Sequence, residues 1–129
     1  YGSRHYVSAA RAAGTLRSIK ALVLLDMVGD RNLNLRRDTN STPWLTDLFW
    51  ATARRLGHGA HFLDEPLPVE DDHMAFLDAG IPAVDPIDYP EWHTAGDTLD
   101  KVSARSLQIV GDVVLAALLE LEARLLAGR

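Results

Sequence analysis

Between residues 3 and 13 the apolar residues Tyr6, Val7, Ala10 and Ala13 recur at helical spacing, with Ser3 placed to cap and Gly14 to end the turn. Residues 19 to 27 are almost continuously apolar, the pattern of a strand buried on both faces, and Asp26 stands at its far end. From 32 to 37, Leu33 and Leu35 alternate with polar neighbours, which predicts a half-buried edge strand. Thr42 and Pro43 suit the N-cap and first position of a helix over residues 44–56, closed by Gly57. Residues 57–72 read as loop around a short strand at 60–63, residues 73–79 as a short helix ending at Gly80, and residues 81–87 as a second buried strand containing Asp85. Residues 88–100 are polar and irregular. From Ser103 a long helix is predicted, with Leu107, Val110, Val114, Leu118, Leu121 and Leu125 on one stripe.

This alternation of helix and buried strand predicts one α/β domain over residues 1–129, a mixed, mostly parallel sheet flanked by helices. At 129 residues and 47% hydrophobic the chain can enclose a core, and no repeat or linker divides it. There is no cysteine, so a metal site would have to use histidine and carboxylates. A net charge of -5 gives no basic surface for nucleic acid. The C-terminal apolar run carries Glu120, Glu122 and Arg124 and so reads as an amphipathic helix, not a membrane span. The opening residues show no export signal, and the compartment is not legible.

Charge narrows the chemistry. Between Leu56 and Asp100 there are eleven acids and no Lys or Arg. Asp26 is the only charge at the carboxyl end of its strand, where open α/β sheets bind ligands. Glu70-Asp71-Asp72-His73 puts three acids and an imidazole at a helix start, more than capping needs. Asp85 interrupts an apolar strand, and a buried acid there needs a partner. Trp92-His93-Thr94 offers an imidazole beside an indole that could wall a pocket. Asp26, Asp71 and His93 together would make a carboxylate and imidazole set suited to zinc. If Asp26 and Asp71 meet without metal, one of them should hold a proton near neutral pH.

Three stretches, Leu-Leu-Asp-Met-Val-Gly at 24–29, Glu-Asp-Asp-His-x-x-Phe-Leu-x-x-Gly-Ile-Pro at 70–82 and Trp-His-Thr with Asp97-Thr98 at 92–98, resemble the C-terminal half of the zinc aminopeptidase family, peptidase family twenty-eight, that includes the glutaminyl-peptide cyclotransferases. The resemblance runs in order from residue 1 to about residue 120. It implies a zinc exopeptidase-like layered fold, here incomplete, with one or two zinc ions in the whole enzyme. By resemblance His93 matches a zinc ligand, and Asp26 matches an acid that ligates the second zinc in two-metal aminopeptidases or joins a hydrogen-bonded network in the cyclases. Asp71 matches a position that is acidic in the cyclases and commonly Ser in aminopeptidases, and Trp92 matches a residue flanking the cyclases' pocket. Asp85 stands where animal cyclases carry His.

The family's earlier metal ligands and its general-base Glu have no counterpart in these residues. The expected function is therefore a zinc-dependent aminopeptidase-type hydrolase acting on peptide N-termini, with this chain alone inactive and weak in zinc. The alternatives are a glutaminyl-peptide cyclotransferase forming N-terminal pyroglutamate, or a non-catalytic remnant or interaction domain. Asp85 and Glu91 are the next acids to test as ligand or base. Expected partners are the substrate N-terminus and a missing N-terminal half or second copy meeting the open flank of residues 19–27, with no nucleic acid and no membrane.

Overall fold

The computed structural model describes residues 1–89 and 94–128. Its main elements are α1 (Gly2–Ala12), β1 (Leu22–Val23), β2 (Leu35–Asp38), α2 (Pro43–Arg55), β3 (Phe62–Leu67), α3 (His73–Asp78), β4 (Ala83–Val84) and α4 (Ala104–Ala127). β1 pairs parallel with β4, and β2 pairs parallel with β3. Ile87 extends β4 and bridges Asp26 in parallel and Arg36 antiparallel, so the two ribbons join into a mixed sheet. Thr42 completes the join: its amide donates to the Ala83 carbonyl at 2.8 Å, and its Oγ1 accepts from the Ala83 amide at 3.0 Å. The hydroxyl expected to cap α2 thus ties that helix to β4 instead, and α2 starts on Pro43, which needs no capped N–H.

Two apolar clusters cover the sheet. Leu22 packs with the smaller one, Val7, Ala75, Phe76 and Ile81 from α1, α3 and the turn into β4, while its neighbours Ala21 and Val23 pack with the larger one, centred on Trp50, Phe49, Leu35, Leu45 and Val113 from α2, β2 and α4. Adjacent strand residues point to opposite faces, so the clusters lie on opposite sides of the sheet. Trp50 is fully buried, stacks edge-on against Phe62 at 5.2 Å and donates its indole N–H to the Leu63 carbonyl at 2.9 Å. Among the described residues no helix is long and apolar enough to cross a membrane.

Several boundaries depart from the sequence pattern. The strand expected over residues 19–27 is a ladder only at Leu22–Val23 and is half-buried, because β4 flanks one side and, among the described residues, no strand the other. The second buried strand shortens to Ala83–Val84, held between Pro82 and Pro86, whose rings cannot donate to a ladder. β3 is longer than expected and contains Pro66, which its position at the sheet edge tolerates. Ser3 lies inside α1, and Tyr1 occupies the cap position.

The buried stripe of α4 is also rotated. It runs Ser106, Ile109, Val110, Val113, Ala117 and Leu121, while Leu107 and Leu118 are 48% and 41% exposed and Val114 is only partly buried. Leucines occur all around this helix, so the stripe is chosen by its partner α2, which periodicity alone does not reveal. Leu107 lies over Gly29 instead, where an added Cβ would come within 3.3 Å of it.

Candidate active site

The sheet's carboxyl edge collects the acids. Asp26 ends β1 at its bridge to Ile87, and Met27, next along, has φ of 51°, a left-handed conformation uncommon outside glycine. That turn lifts the chain off the sheet directly after the carboxylate. Asp71 precedes α3, and its Oδ1 accepts the Asp72 amide at 2.6 Å. Asp71 is the acidic neighbour of Asp26: burial, then the charge of Asp71, then a hydrogen-bonding contact with its side chain push the Asp26 carboxyl above its ordinary range.

Behind this pair lies a line of buried ionisable groups. His73, the first residue of α3, is closed to solvent. Its Nε2 stands 2.9 Å from Oδ2 of Asp38 and its Nδ1 stands 3.6 Å from Oδ2 of Asp85. Neither approach lies along a ring N–H, so these are ion-pair contacts and not aligned hydrogen bonds. Asp38 is well satisfied: it accepts from Ser41 Oγ at 2.7 Å, the Val69 amide at 2.9 Å and the Asn40 amide at 3.0 Å. Burial alone would raise its pKa, but His73 and these donors outweigh it and hold the carboxyl at about 2.

Asp85 is 1% exposed and neither carboxyl oxygen has a hydrogen-bond partner. Burial pushes its pKa up to about 7, the charges of Asp71, Asp38 and Asp26 add to that, and His73 opposes it. The His73 imidazole is raised, because Asp38 and Asp85 overcome the desolvation that would lower it. These shifts favour an ionised Asp38 and a charged His73 beside an Asp85 carboxyl that keeps its proton up to about pH 7. Asp71 and Asp26 complete the line toward solvent.

An open cleft of about 520 Å³ begins at Asp71, lined also by Glu70, Asp72, Asp78, Ser3 and Arg4. The acid-rich span is not wholly without cations, as its sequence suggests. Arg37 pairs with Asp64 at 2.8 Å and Arg36 with Glu65 at 3.0 Å, both reaching across from β2.

Of the sequence-predicted site residues, Asp26 and Asp71 are brought together and Asp85 joins them from behind. Trp92, His93 and Glu91 lie outside the described residues. Asp38, and His73 as its partner, are what sequence reasoning missed. A signal for His73 was present: it precedes Phe76 by three residues, and that spacing puts the imidazole on the buried face of α3.

The family model described as Peptidase family M28 matches residues 1–118. The chain belongs to peptidase family M28. Among solved structures of M28-like fold, a glutaminyl cyclase from an Acidobacteriales bacterium is 44% identical, with a TM-score of 0.91, over 96% of this chain and 46% of that one. The Porphyromonas gingivalis glutaminyl cyclase is 30% identical, with a TM-score of 0.83, over 92% of this chain and 48% of that one. A Zn-dependent exopeptidase from Parabacteroides distasonis is 27% identical, with a TM-score of 0.69, over 74% of this chain and 38% of that one. The chain therefore spans less than half the length of these relatives.

Membership in M28 implies zinc in the family. Among the described residues no three His, Asp or Glu side chains are grouped to hold a metal ion. Asp26, the candidate ligand by resemblance, has the acidic Asp71 as its neighbour. A catalytic zinc takes about three protein ligands, so the described residues do not make such a site by themselves.

Proposed function

We propose that this chain supplies the proton-handling side of a glutaminyl cyclase-type active site, acting on peptides with an N-terminal Gln. The observation that carries the reading is the neighbouring carboxyl pair Asp26–Asp71, of which Asp71 lines an acidic cleft. The 44% identity to a glutaminyl cyclase over nearly the whole chain supports it. In the cyclisation the α-nitrogen forms a bond to the γ-carbonyl carbon, the bond from that carbon to the amide nitrogen breaks, and ammonia leaves. The α-ammonium loses one proton before it attacks and a second as the lactam nitrogen forms; one of the two reaches the departing nitrogen, which leaves as ammonia, and the other passes to solvent. A carboxyl pair can take a proton from the α-nitrogen and hand it to the departing nitrogen, because each carboxylate stabilises the other's protonated form. The acids lining the cleft favour the approach of a positively charged peptide N-terminus.

Hydrolysis by an aminopeptidase, the activity the sequence put first, is favoured by the likeness to the Parabacteroides exopeptidase. The test is direct. A complete M28 catalytic unit containing this chain is assayed for ammonia release from a Gln-initiated peptide and for nitroaniline release from aminoacyl-nitroanilides. The cyclase reading expects ammonia from the first and no nitroaniline from the second, with Asp71→Asn lowering the rate roughly 10²- to 10⁴-fold. Nitroaniline without ammonia would replace it with the hydrolase.

A further inference from the structure

One stretch of chain, residues 29–34, fastens both ends of a long excursion. β4 continues through Ile87, which bridges Asp26, and the chain leaves the sheet at Asp88. It returns at Lys101, just ahead of α4. At the departure, Oδ2 of Asp88 accepts the Asn34 amide at 2.7 Å. At the return, the Arg31 amide donates to the Lys101 carbonyl at 2.6 Å and the Ser103 amide to the Gly29 carbonyl at 2.8 Å. The Arg31 guanidinium also donates to the Asp100 carbonyl at 3.0 Å, and Asp30 bridges Val102 antiparallel. Residues 29–34 follow Asp26 closely, through the left-handed turn at Met27. Met27, Asp30, Asp88 and Asp97 border one narrow cavity of about 100 Å³, so the returning leg lies against that turn.

Asp88 is the costly member of this clamp. It is 1% exposed, the Asn34 amide satisfies one of its oxygens, and Oδ1 has no hydrogen-bond partner among the described residues. Burial makes its ionisation harder; the Asn34 amide eases it, the charge of Asp30 opposes it and Arg36 favours it. An apolar side chain of similar size would avoid the desolvation penalty of a buried, unpaired oxygen. Folding alone therefore does not call for a carboxyl here, and departures of this kind from good packing gather at functional sites.

We propose that Asp88 is a positioning residue: through Asn34 it locks the departing end, so that both ends of the excursion between Asp88 and Lys101 act as one clamp that sets it beside Asp26. The catalytic consequence rests on the reading of Asp26 as part of the active site. The clamp itself rests only on the bonds to residues 29–34.

The test compares Asp88→Leu, which removes the acceptor at similar volume, with Asp88→Asn, whose amide oxygen can still accept from Asn34. Both are made in a complete M28 catalytic unit containing this chain. Amide exchange is followed there, and kcat and KM are measured on whichever of a Gln-initiated peptide and an aminoacyl-nitroanilide the unit turns over. Asp88→Leu should speed exchange at the Arg31 and Ser103 amides at least about tenfold while leaving Val113, in the buried core, unchanged. Its kcat should fall roughly 10- to 10²-fold, as when reacting groups are displaced by about 1 Å. KM should stay within about threefold, because Glu70, Asp71 and Asp72 of the cleft are untouched. Asp88→Asn should match the parent in exchange and in kcat. Unchanged exchange at Arg31 and Ser103 in Asp88→Leu would overturn the proposal, since the two ends would then be independent. So would faster exchange at Val113 by the same factor, loosened ends with the parent's kcat, or an Asp88→Asn variant as impaired as Asp88→Leu. Should the unit turn over neither substrate, the functional reading fails, and exchange at Arg31 and Ser103 decides the clamp by itself.

Discussion

Nε2 of His73 stands 2.9 Å from Oδ2 of Asp38, with both side chains closed to solvent. This contact fastens the first turn of α3 to the end of β2 and so fixes the turn that carries Asp71. Removing one partner of a buried ion pair leaves the other charge uncompensated, which typically costs about 3–5 kcal/mol. Asp38→Asn should lose about that much in urea unfolding, with Asp38→Leu/His73→Phe losing less than Asp38→Asn alone. Equal, additive losses for the two sites would mean that the pair is not coupled.

The same cluster sets the dependence of stability on pH. Asp38 is held at about 2, below its ordinary value, so its contribution is present above about pH 4 and is lost as pH falls toward 2. Asp85 is pushed up to about 7, so its contribution is complete below about pH 4 and is lost as pH rises through 7. His73 is raised and acts in the same direction as Asp85, its contribution disappearing as pH climbs past its folded value. Stability should therefore peak in mildly acidic buffer and fall by a few kcal/mol toward pH 8. Melting temperatures taken from pH 3 to pH 8 check this; a plateau from 5 to 8 would contradict it.

Asp85→Asn isolates the alkaline limb. It removes a carboxyl that must ionise without a hydrogen-bond partner, so the variant should melt higher than the parent at pH 8 and no higher at pH 4. A variant destabilised equally at both pH values would show that the carboxyl is needed for packing and not merely tolerated.

Some of this was legible in the sequence because it rests on local signals. Pro43, Gly57 and Gly80 punctuate the helices where expected, and Asp26 at the end of an apolar run marked the carboxyl edge of the sheet, where the acids gather. Asp38 escaped notice because it looks like a turn acid before Asn40-Ser41, and nothing local says that His73, thirty-five residues on, packs against it. The two buried strands, 19–27 and 81–87, were overestimated in length because apolar content reports burial, whereas a ladder needs a neighbour, and among the described residues β1 has one on one side only.

The rotated stripe of α4 gives a packing prediction. Val113 is fully buried in the larger cluster, while Leu115, two residues on, is 67% exposed. Val113→Asp would bury an unpaired charge and should cost several kcal/mol, enough to unfold a marginal domain at room temperature. Leu115→Asp should stay within about 0.5 kcal/mol of the parent by urea unfolding. Comparable losses at both positions would mean that α4 packs with a different face.

The last prediction concerns the acid pair itself. Asp26 is raised by burial and by Asp71, so the pair is less favourable when both groups are ionised than when they share a proton. Its stabilising contribution is present below the ordinary carboxyl range and is lost as pH rises through the raised value of Asp26. Asp71→Asn removes the repulsion while its amide can still donate to Asp26, so carboxyl titration by NMR should show Asp26 moving down toward or below its ordinary range near 4. The variant should be no less stable than the parent at pH 7, yet slow in any reaction that needs the pair to exchange a proton, a trade-off typical of groups kept for function. Asp26 unmoved by Asp71→Asn would show that burial alone raises it, and the two carboxylates would then not act as one proton-holding unit.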